Sequence, residues 1–363
     1  MRPLKNTLFV QTQGAWLNKQ GENVVMNIDH QIAGRVPIHK LQAIVCFGQI
    51  SLSPALMAHC TDNGITITHL NQYGRFQARI EGVVSGNVFL RREQYRISDD
   101  PKRHQPIAHS IVLGKIHNQR QVIRRYLRDY QTQLEQSTIQ QLNHAQKRLE
   151  NTLATLINAI TDSPDSINST NSPTNNTNSP TLAQLLGYEG DMASVYFSVF
   201  PTFIRNDNFT FAKRTRNPPT DPINALLSFT YTLLTHDCRS ALETVGLDPA
   251  CGFFHQLRAG RPSLALDLIE EFRPIADRFV LSLINKKQLK PSDFTQAENG
   301  AVQLKDTARQ TFLKAWHERK QQTLQHDWFE ETVPFGLLLH LQATIMARHI
   351  RGDIDAYVPF LWK

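Results

Sequence analysis

The sequence predicts an α+β chain of two parts, a small N-terminal β-sandwich-like domain (residues 1–85) and a larger all-α domain (residues 86–363). Three observations predict it. Up to about Ile80 the apolar residues fall in short runs rich in Val, Ile and Phe, bounded by Gly, Asn, Asp or Pro, the pattern of strands and tight turns. Beyond Gly86 the spacing changes to that of amphipathic helices. A chain of 363 residues is also long enough to bury a full core and to divide into domains.

The strand runs are Leu8–Val10, Ala15–Leu17, Asn23–Ile28, Ile32–Ile38, Ala43–Phe47, Ile65–Leu70 and Phe76–Ile80, read as a meander with turns at Asp62-Asn63-Gly64 and Tyr73-Gly74. One short helix interrupts them: Ser53 caps it, Pro54 takes its first position, and Ala55 to Cys60 form its body. The helical runs begin with Val88–Ile97 and then Ile107 to about Glu135, with Ile111, Ile116, Val122, Ile123 and Tyr126 inward and Lys115, Arg120, Arg124 and Arg128 largely outward. Thr138–Ile160, Leu182–Val199 and Pro222–Leu234 follow, then three or four more from Leu264 to the C-terminus, with Asn285–Ser292 a basic connector. Residues 161–180 are Ser, Thr, Asn, Asp and Pro around a single Ile167. They cannot bury apolar surface and predict a disordered loop without chemistry.

Lys and Arg number 39 against 32 Asp and Glu, a net charge of +7. The basic residues recur in clusters along the chain, which suits a groove tracking a phosphate backbone and equally suits a basic protein with no such partner. Cys46, Cys60, Cys238 and Cys251 lie far apart without a Cys-x-x-Cys pair and read as buried reduced thiols. No leader-like or membrane-spanning apolar run is seen, so the expectation is a cytoplasmic protein with no membrane partner. The phosphate-binding and dinucleotide-binding glycine motifs are absent, which removes the common nucleotide enzymes.

The richest stretch runs from Gly252 to Pro274. His255 ends an apolar run, a Gly-Arg-Pro turn follows, and Ser263 stands where a helix cap belongs. Asp267 and Glu270, three apart, share one face of a helix otherwise built of Leu264, Ala265, Leu266, Leu268 and Ile269. Two carboxylates on an apolar helix cost free energy unless a cation or proton lies between them, so this is either a divalent-metal site or a solvated polar face. Upstream, Gly187 and Gly190 bracket Tyr188-Glu189 inside a helix. Each costs about 1 kcal/mol relative to Ala, a cost that predicts close packing or the close approach of another group. In the turn between His255 and Asp267, Arg258 and Arg261 are either phosphate clamps or salt-bridge partners of Glu271 or Asp267. Lys213, Arg214 and Arg216 form a basic loop closed by Pro218-Pro219, either a DNA contact or a solvated loop.

Three ordered blocks carry a resemblance: Gly187-Tyr188-Glu189-Gly190 continuing to Phe197, Asn217-Pro218-Pro219 with Asp221-Pro222 continuing to Phe229, and Gly252-Phe253-Phe254-His255 with Gly260-Arg261-Pro262-Ser263 continuing to Pro274. Together they resemble the CRISPR-associated universal adaptation integrase family, with the form found in type I-C systems the nearest likeness. The likeness extends over nearly the whole chain. Phe254 stands where Leu is usual, and the loop at 161–180 is longer than the family's.

The resemblance implies a β domain that dimerises and a helical catalytic domain whose Mg²⁺ or Mn²⁺ is held by Glu189, His255 and Glu270, with Asp267 supporting catalysis; Glu271 is the alternative third ligand. It implies a metal-dependent endonuclease and integrase that joins 3′-hydroxyl ends of foreign double-stranded DNA to CRISPR repeats, working as a homodimer with a small companion subunit. The other readings are a metal-dependent nuclease or mobile-element integrase outside CRISPR, and a catalytically inactive DNA-binding scaffold.

Overall fold

The computed structural model of the chain describes residues 5–71, 74, 76–82, 88–161 and 180–363, with the backbone alone described at 160 and 161. The expected loop, except its ends, and the expected domain boundary at residues 85 and 86 lie outside the described residues.

The N-terminal part contains β1 (Asn6–Val10), β2 (Trp16–Gln20), β3 (Asn23–Ile28), β4 (Gln31–Pro37), β5 (Leu41–Phe47), β6 (Ser51–Leu52), α1 (Pro54–Asp62), β7 (Thr66–Leu70) and β8 (Phe76–Ile80). They form two four-stranded sheets, β1-β5-β7-β8 and β4-β3-β2-β6. The topology is not the meander read from the sequence. β1 pairs parallel with β5, β5 with β7 and β2 with β6, because the chain crosses between the sheets and α1 supplies the long connection a parallel pair needs.

β5 shows how this part is fixed to the rest. Ile44 and Cys46 enter the core between the sheets with Val10, Leu17, Leu56 and Ile67, while Val45 and Phe47 on the opposite face enter the core of the helical part. The four cysteines are buried and unpaired.

The helical part comprises α2 (Val88–Asp99), α3 (Pro101–Tyr130), α4 (Gln136–Thr161), α5 (Leu182–Val199), α6 (Pro222–Thr244), α7 (Ser263–Glu270), α8 (Arg273–Asn285), α9 (Asp306–Gln321) and α10 (Phe335–Arg351). α3 starts a turn and a half before the apolar spacing does, because Asp100 accepts from the Lys102 N–H at 2.9 Å and Pro101 suits the first position. Arg79 on β8 reaches across to Glu243 on α6, which also receives Arg239 at 3.0 Å, so charge as well as apolar packing joins the two parts.

The expectation of an all-α second domain needs correction. Two short antiparallel hairpins, β9 (Phe294–Gln296) with β10 (Val302–Leu304) and β11 (Thr323–His326) with β12 (Glu331–Pro334), interrupt the helices. Strands this short carry too few residues to register a two-residue period. Among the described residues, no helix is long and apolar enough to cross a membrane.

Candidate metal centre

Four elements converge: α3 with Lys115, α5 with Glu189, the turn before α7 with His255, and α7 with Asp267 and Glu270. α5 opens on a capping box in which Thr181 and Gln184 satisfy each other's backbone N–H, fixing the helix two turns before Glu189. The close packing expected at Gly187 and Gly190 is absent: a Cβ at either would meet nothing within 4 Å, so the two glycines leave the surface of α5 beside Glu189 open.

α7 is locked to the His255 turn by Asp267. This fully buried carboxylate accepts from the backbone N–H groups of Phe253 at 2.6 Å, Phe254 at 3.0 Å and His255 at 2.8 Å, and from His255 Nδ1 at 2.7 Å. Gly252 is required by this approach, since a Cβ there would lie 2.8 Å from Asp267 Oδ2 and from the backbone of Ser263. Ser263 does not cap the helix as expected. Pro262 holds that position, and Ser263 is buried, with its hydroxyl donating to the Gln256 carbonyl at 3.1 Å.

A carboxylate only accepts, so His255 carries a proton on Nδ1, and Nε2, 3.9 Å from Glu270 Oε1, is the ring nitrogen that offers a lone pair whenever the imidazole is neutral. Glu270 is buried and sits in a cationic surround, with Arg273 Nε 2.9 Å from Oε1 and Lys115 Nζ 2.6 Å from Oε2. Burial alone would raise its carboxyl, but Arg273, Lys115 and His255 outweigh burial and hold it at about 2. The same Lys115 ammonium contacts Glu189.

Lys115 and Arg273 were not among the residues singled out from the sequence, and Lys115 is buried, not outward as its charge implied. Its spacing carried the signal. Lys115 lies four residues after Ile111 and seven before Val122, on the apolar stripe of α3, where an unpaired lysine cannot be left. Arg273 stands three residues after Glu270, a spacing that brings side chains together.

Glu271 faces away from the site. Fully buried, its carboxyl accepts from Gln342 Nε2 at 3.0 Å, the Phe360 N–H at 2.7 Å and the Tyr357 hydroxyl, anchoring the C-terminal segment. Its oxygens are committed there, so it is Glu270 that meets Glu189 and His255.

The basic candidates divide. Arg214 is turned inward: it donates to Asn224 Oδ1 at 2.7 Å and Ser228 Oγ at 3.1 Å, holding the basic loop onto α6. Lys213 and Arg216 on the same loop are exposed. Arg258 and Arg261 make no side-chain hydrogen bond or ion pair among the described residues, and the acids considered as their partners are buried and engaged elsewhere.

Among the described residues no three His, Cys, Asp or Glu side chains gather as a ready ligand set, because Glu189 and Glu270 meet across the Lys115 ammonium. The donors nevertheless fit a divalent cation. They are two carboxylates and an imidazole whose Nε2 lies on the Glu270 side, and Glu270 Oε2 is a buried oxygen with no well-directed hydrogen bond.

The family model for "CRISPR associated protein Cas1" matches residues 8–318. CRISPR-associated endonuclease Cas1 2 of Rhodospirillum rubrum is 48% identical over 366 residues, and CRISPR-associated endonuclease Cas1 1 of Chlorobaculum tepidum is 46% identical over 366 residues, each match covering 100% of both chains. A Cas1 protein from Thermotoga maritima, 19% identical, has the same fold, with a TM-score of 0.76 over 97% of this chain and 99% of its own. By the family model and by relatives matched over their whole length, the chain belongs to the Cas1 family of CRISPR-associated proteins.

Proposed function

We propose that this chain is a spacer-acquisition integrase, a divalent-metal-dependent enzyme that joins the 3′-hydroxyl ends of foreign DNA fragments to the edges of a CRISPR repeat. The observation that carries the reading is the approach of Glu189 and His255, from elements far apart in sequence, to Glu270: the two carboxylates meet across the Lys115 ammonium, and His255 Nε2 lies 3.9 Å from Glu270 Oε1. The reaction is a transesterification in which an incoming 3′-oxygen forms a bond to phosphorus and a 3′-oxygen of the repeat strand leaves. Glu189, His255 and Glu270 would hold Mg²⁺ or Mn²⁺, which would supply positive charge to neutralise the phosphate.

The chain's own residues do the rest. Asp267 holds His255 in the tautomer that presents Nε2. Lys115 and Arg273 keep Glu270 ionised and supply cations beside the reacting phosphate. The open face at Gly187 and Gly190 gives a strand room to approach Glu189. Lys213, Arg216 and Arg258, which are exposed, and half-buried Arg261 offer cations to the DNA backbone, whereas Arg214 serves the loop's shape. A homodimer formed through the β domain, where Trp16 and Ile32 are exposed, and a small companion subunit would set two such sites at the spacing a repeat demands.

The test is strand transfer of a short duplex into a plasmid carrying the repeat of a type I-C array, with and without Mn²⁺ and companion subunit. Metal-dependent joining by the wild type and none by Glu189→Ala is the expected result. Joining by Glu189→Ala at the wild-type rate removes the assignment.

A further inference from the structure

α3, α8, α9 and the C-terminal segment enclose a cavity of about 330 Å³ that the metal centre does not use. Arg278, which lines it, is five residues beyond Arg273 on α8, about 140° around the helix, so the cavity opens on another side of α8 from Glu270. Arg125 of α3 and Arg319 of α9 complete a set of three half-buried guanidiniums, with Lys286 exposed at the rim. Arg125 and Arg278 lie over the ring of Trp362, at 3.9 Å and 5.4 Å from its centroid.

The charges here are unmatched. Elsewhere in the chain Arg79, Arg239, Arg273 and Arg309 each have a carboxylate at ion-pair distance. Among the described residues, Arg125, Arg278 and Arg319 have none. Asp129 is taken by Arg128 at 2.8 Å, and Glu318, though it lines the cavity, forms no ion pair with them. Burial first, and then the neighbouring guanidiniums, push Arg125 and Arg319 down to about 10. One more donor waits at the same place: Trp362 is 4% exposed, and its Nε1–H has no acceptor. Three cations and an indole N–H gathered without an anion are unfavourable until an oxyanion joins them, and a guanidinium fork matches phosphate oxygens in pairs.

We propose that this cavity is a second phosphate site that seats one backbone phosphate of a DNA strand, remote from the reacting centre. It rests on the DNA-joining reading above and adds to it a place where the strand is held. Along α3, Arg125 is about 15 Å from Lys115, the axial rise of about four base pairs of a B-form duplex.

The experiment measures binding of a short duplex by fluorescence anisotropy across salt concentrations, for the wild type and for Arg125→Gln/Arg319→Gln, alongside thermal melting with inorganic phosphate. The expected result is that the slope of log affinity against log salt shrinks by about one to two in the double variant. Phosphate should raise the melting temperature of the wild type and not that of the variant. An unchanged slope overturns the proposal. If the phosphate response is lost while the slope holds, the site takes free phosphate; if companion binding is lost while the slope holds, it takes an acidic protein surface. Each of those outcomes also overturns it. Should the double variant fail to fold, Arg319→Gln alone carries the same readout, a slope smaller by about one. Failure of the integrase reading is separable, because it shows as absent strand transfer by wild-type protein whose salt slope still depends on the pocket.

Discussion

Glu270 and Glu271 are neighbours in sequence, identical in chemistry and both buried, yet α7 hands them to opposite tasks. On one side Glu270 meets Arg273, Lys115 and His255 and is held at about 2. On the other, Glu271 meets only neutral donors, from Gln342, Tyr357 and Phe360, and burial lifts it to about 8. The difference teaches that burial by itself does not make a carboxylate a ligand: what decides is whether the groups around it are cations or neutral hydrogen-bond donors. A side chain surrounded by cations is one a divalent ion can compete for; one surrounded by committed donors belongs to the fold.

The widest gap between the two should appear on removing each. Glu270→Gln is expected to lower metal-dependent strand transfer by at least about 100-fold, the scale of removing one charge-stabilising group. Glu271→Ala leaves three donors without an acceptor and should cost about 3 kcal/mol of stability in urea unfolding. The folded fraction should still join DNA at a rate within severalfold of wild type. A Glu271→Ala protein that is stable but inactive would reverse the two roles.

Asp267→Asn probes what connects the faces. Asp267 accepts from two backbone N–H groups at Oδ2 and from His255 N and Nδ1 at Oδ1. An asparagine can keep its oxygen on only one pair. With the amide nitrogen toward His255, Nδ1 must accept, and the proton moves to Nε2, which then has no lone pair for metal. The expected outcome is a loss of about 10- to 100-fold in Mn²⁺ affinity by calorimetry. Wild-type affinity would leave Asp267 with a purely structural part in the turn.

Much of this arrangement was legible in the sequence, and the failures have physical causes. The strand runs of the first 80 residues and the span Leu182–Val199 are found where alternation, spacing and turn residues place them. α6 runs on to Thr244, past the expected end at Leu234, and Asp237 in the added stretch is paired to Lys320 at 3.2 Å. Lys115 was misplaced because charge was weighed above spacing. Glu271 stayed an alternative ligand because adjacency in sequence does not tell which side of a helix end a residue faces; the partners that claim it lie some 70 to 90 residues downstream. Asp267 was read as an assistant at the metal, while its four hydrogen bonds to the His255 turn could not be inferred without the fold.

The smallest effect is the most specific to Glu271. Its folded-state value of about 8 stands above the ordinary 4.5, so the folded protein holds this proton more tightly than the unfolded chain. The stability it contributes is complete below pH 4.5, declines as pH rises and is gone once pH passes about 8. Other groups add their own pH dependence: Asp277, raised by burial to about 6, His236, held down by burial to about 4, and His69, His109, His117, His317, His326 and His349, all lowered by burial. Between pH 7 and 8 these groups act equally in wild type and in Glu271→Gln, so the Glu271 contribution is their difference: the wild type should lose about 1 kcal/mol relative to the variant. Glu271→Gln, neutral at every pH, should lack that loss across the interval. A decline of equal size in Glu271→Gln would show that the proton is lost elsewhere and that Glu271, like Glu270, is ionised in the fold.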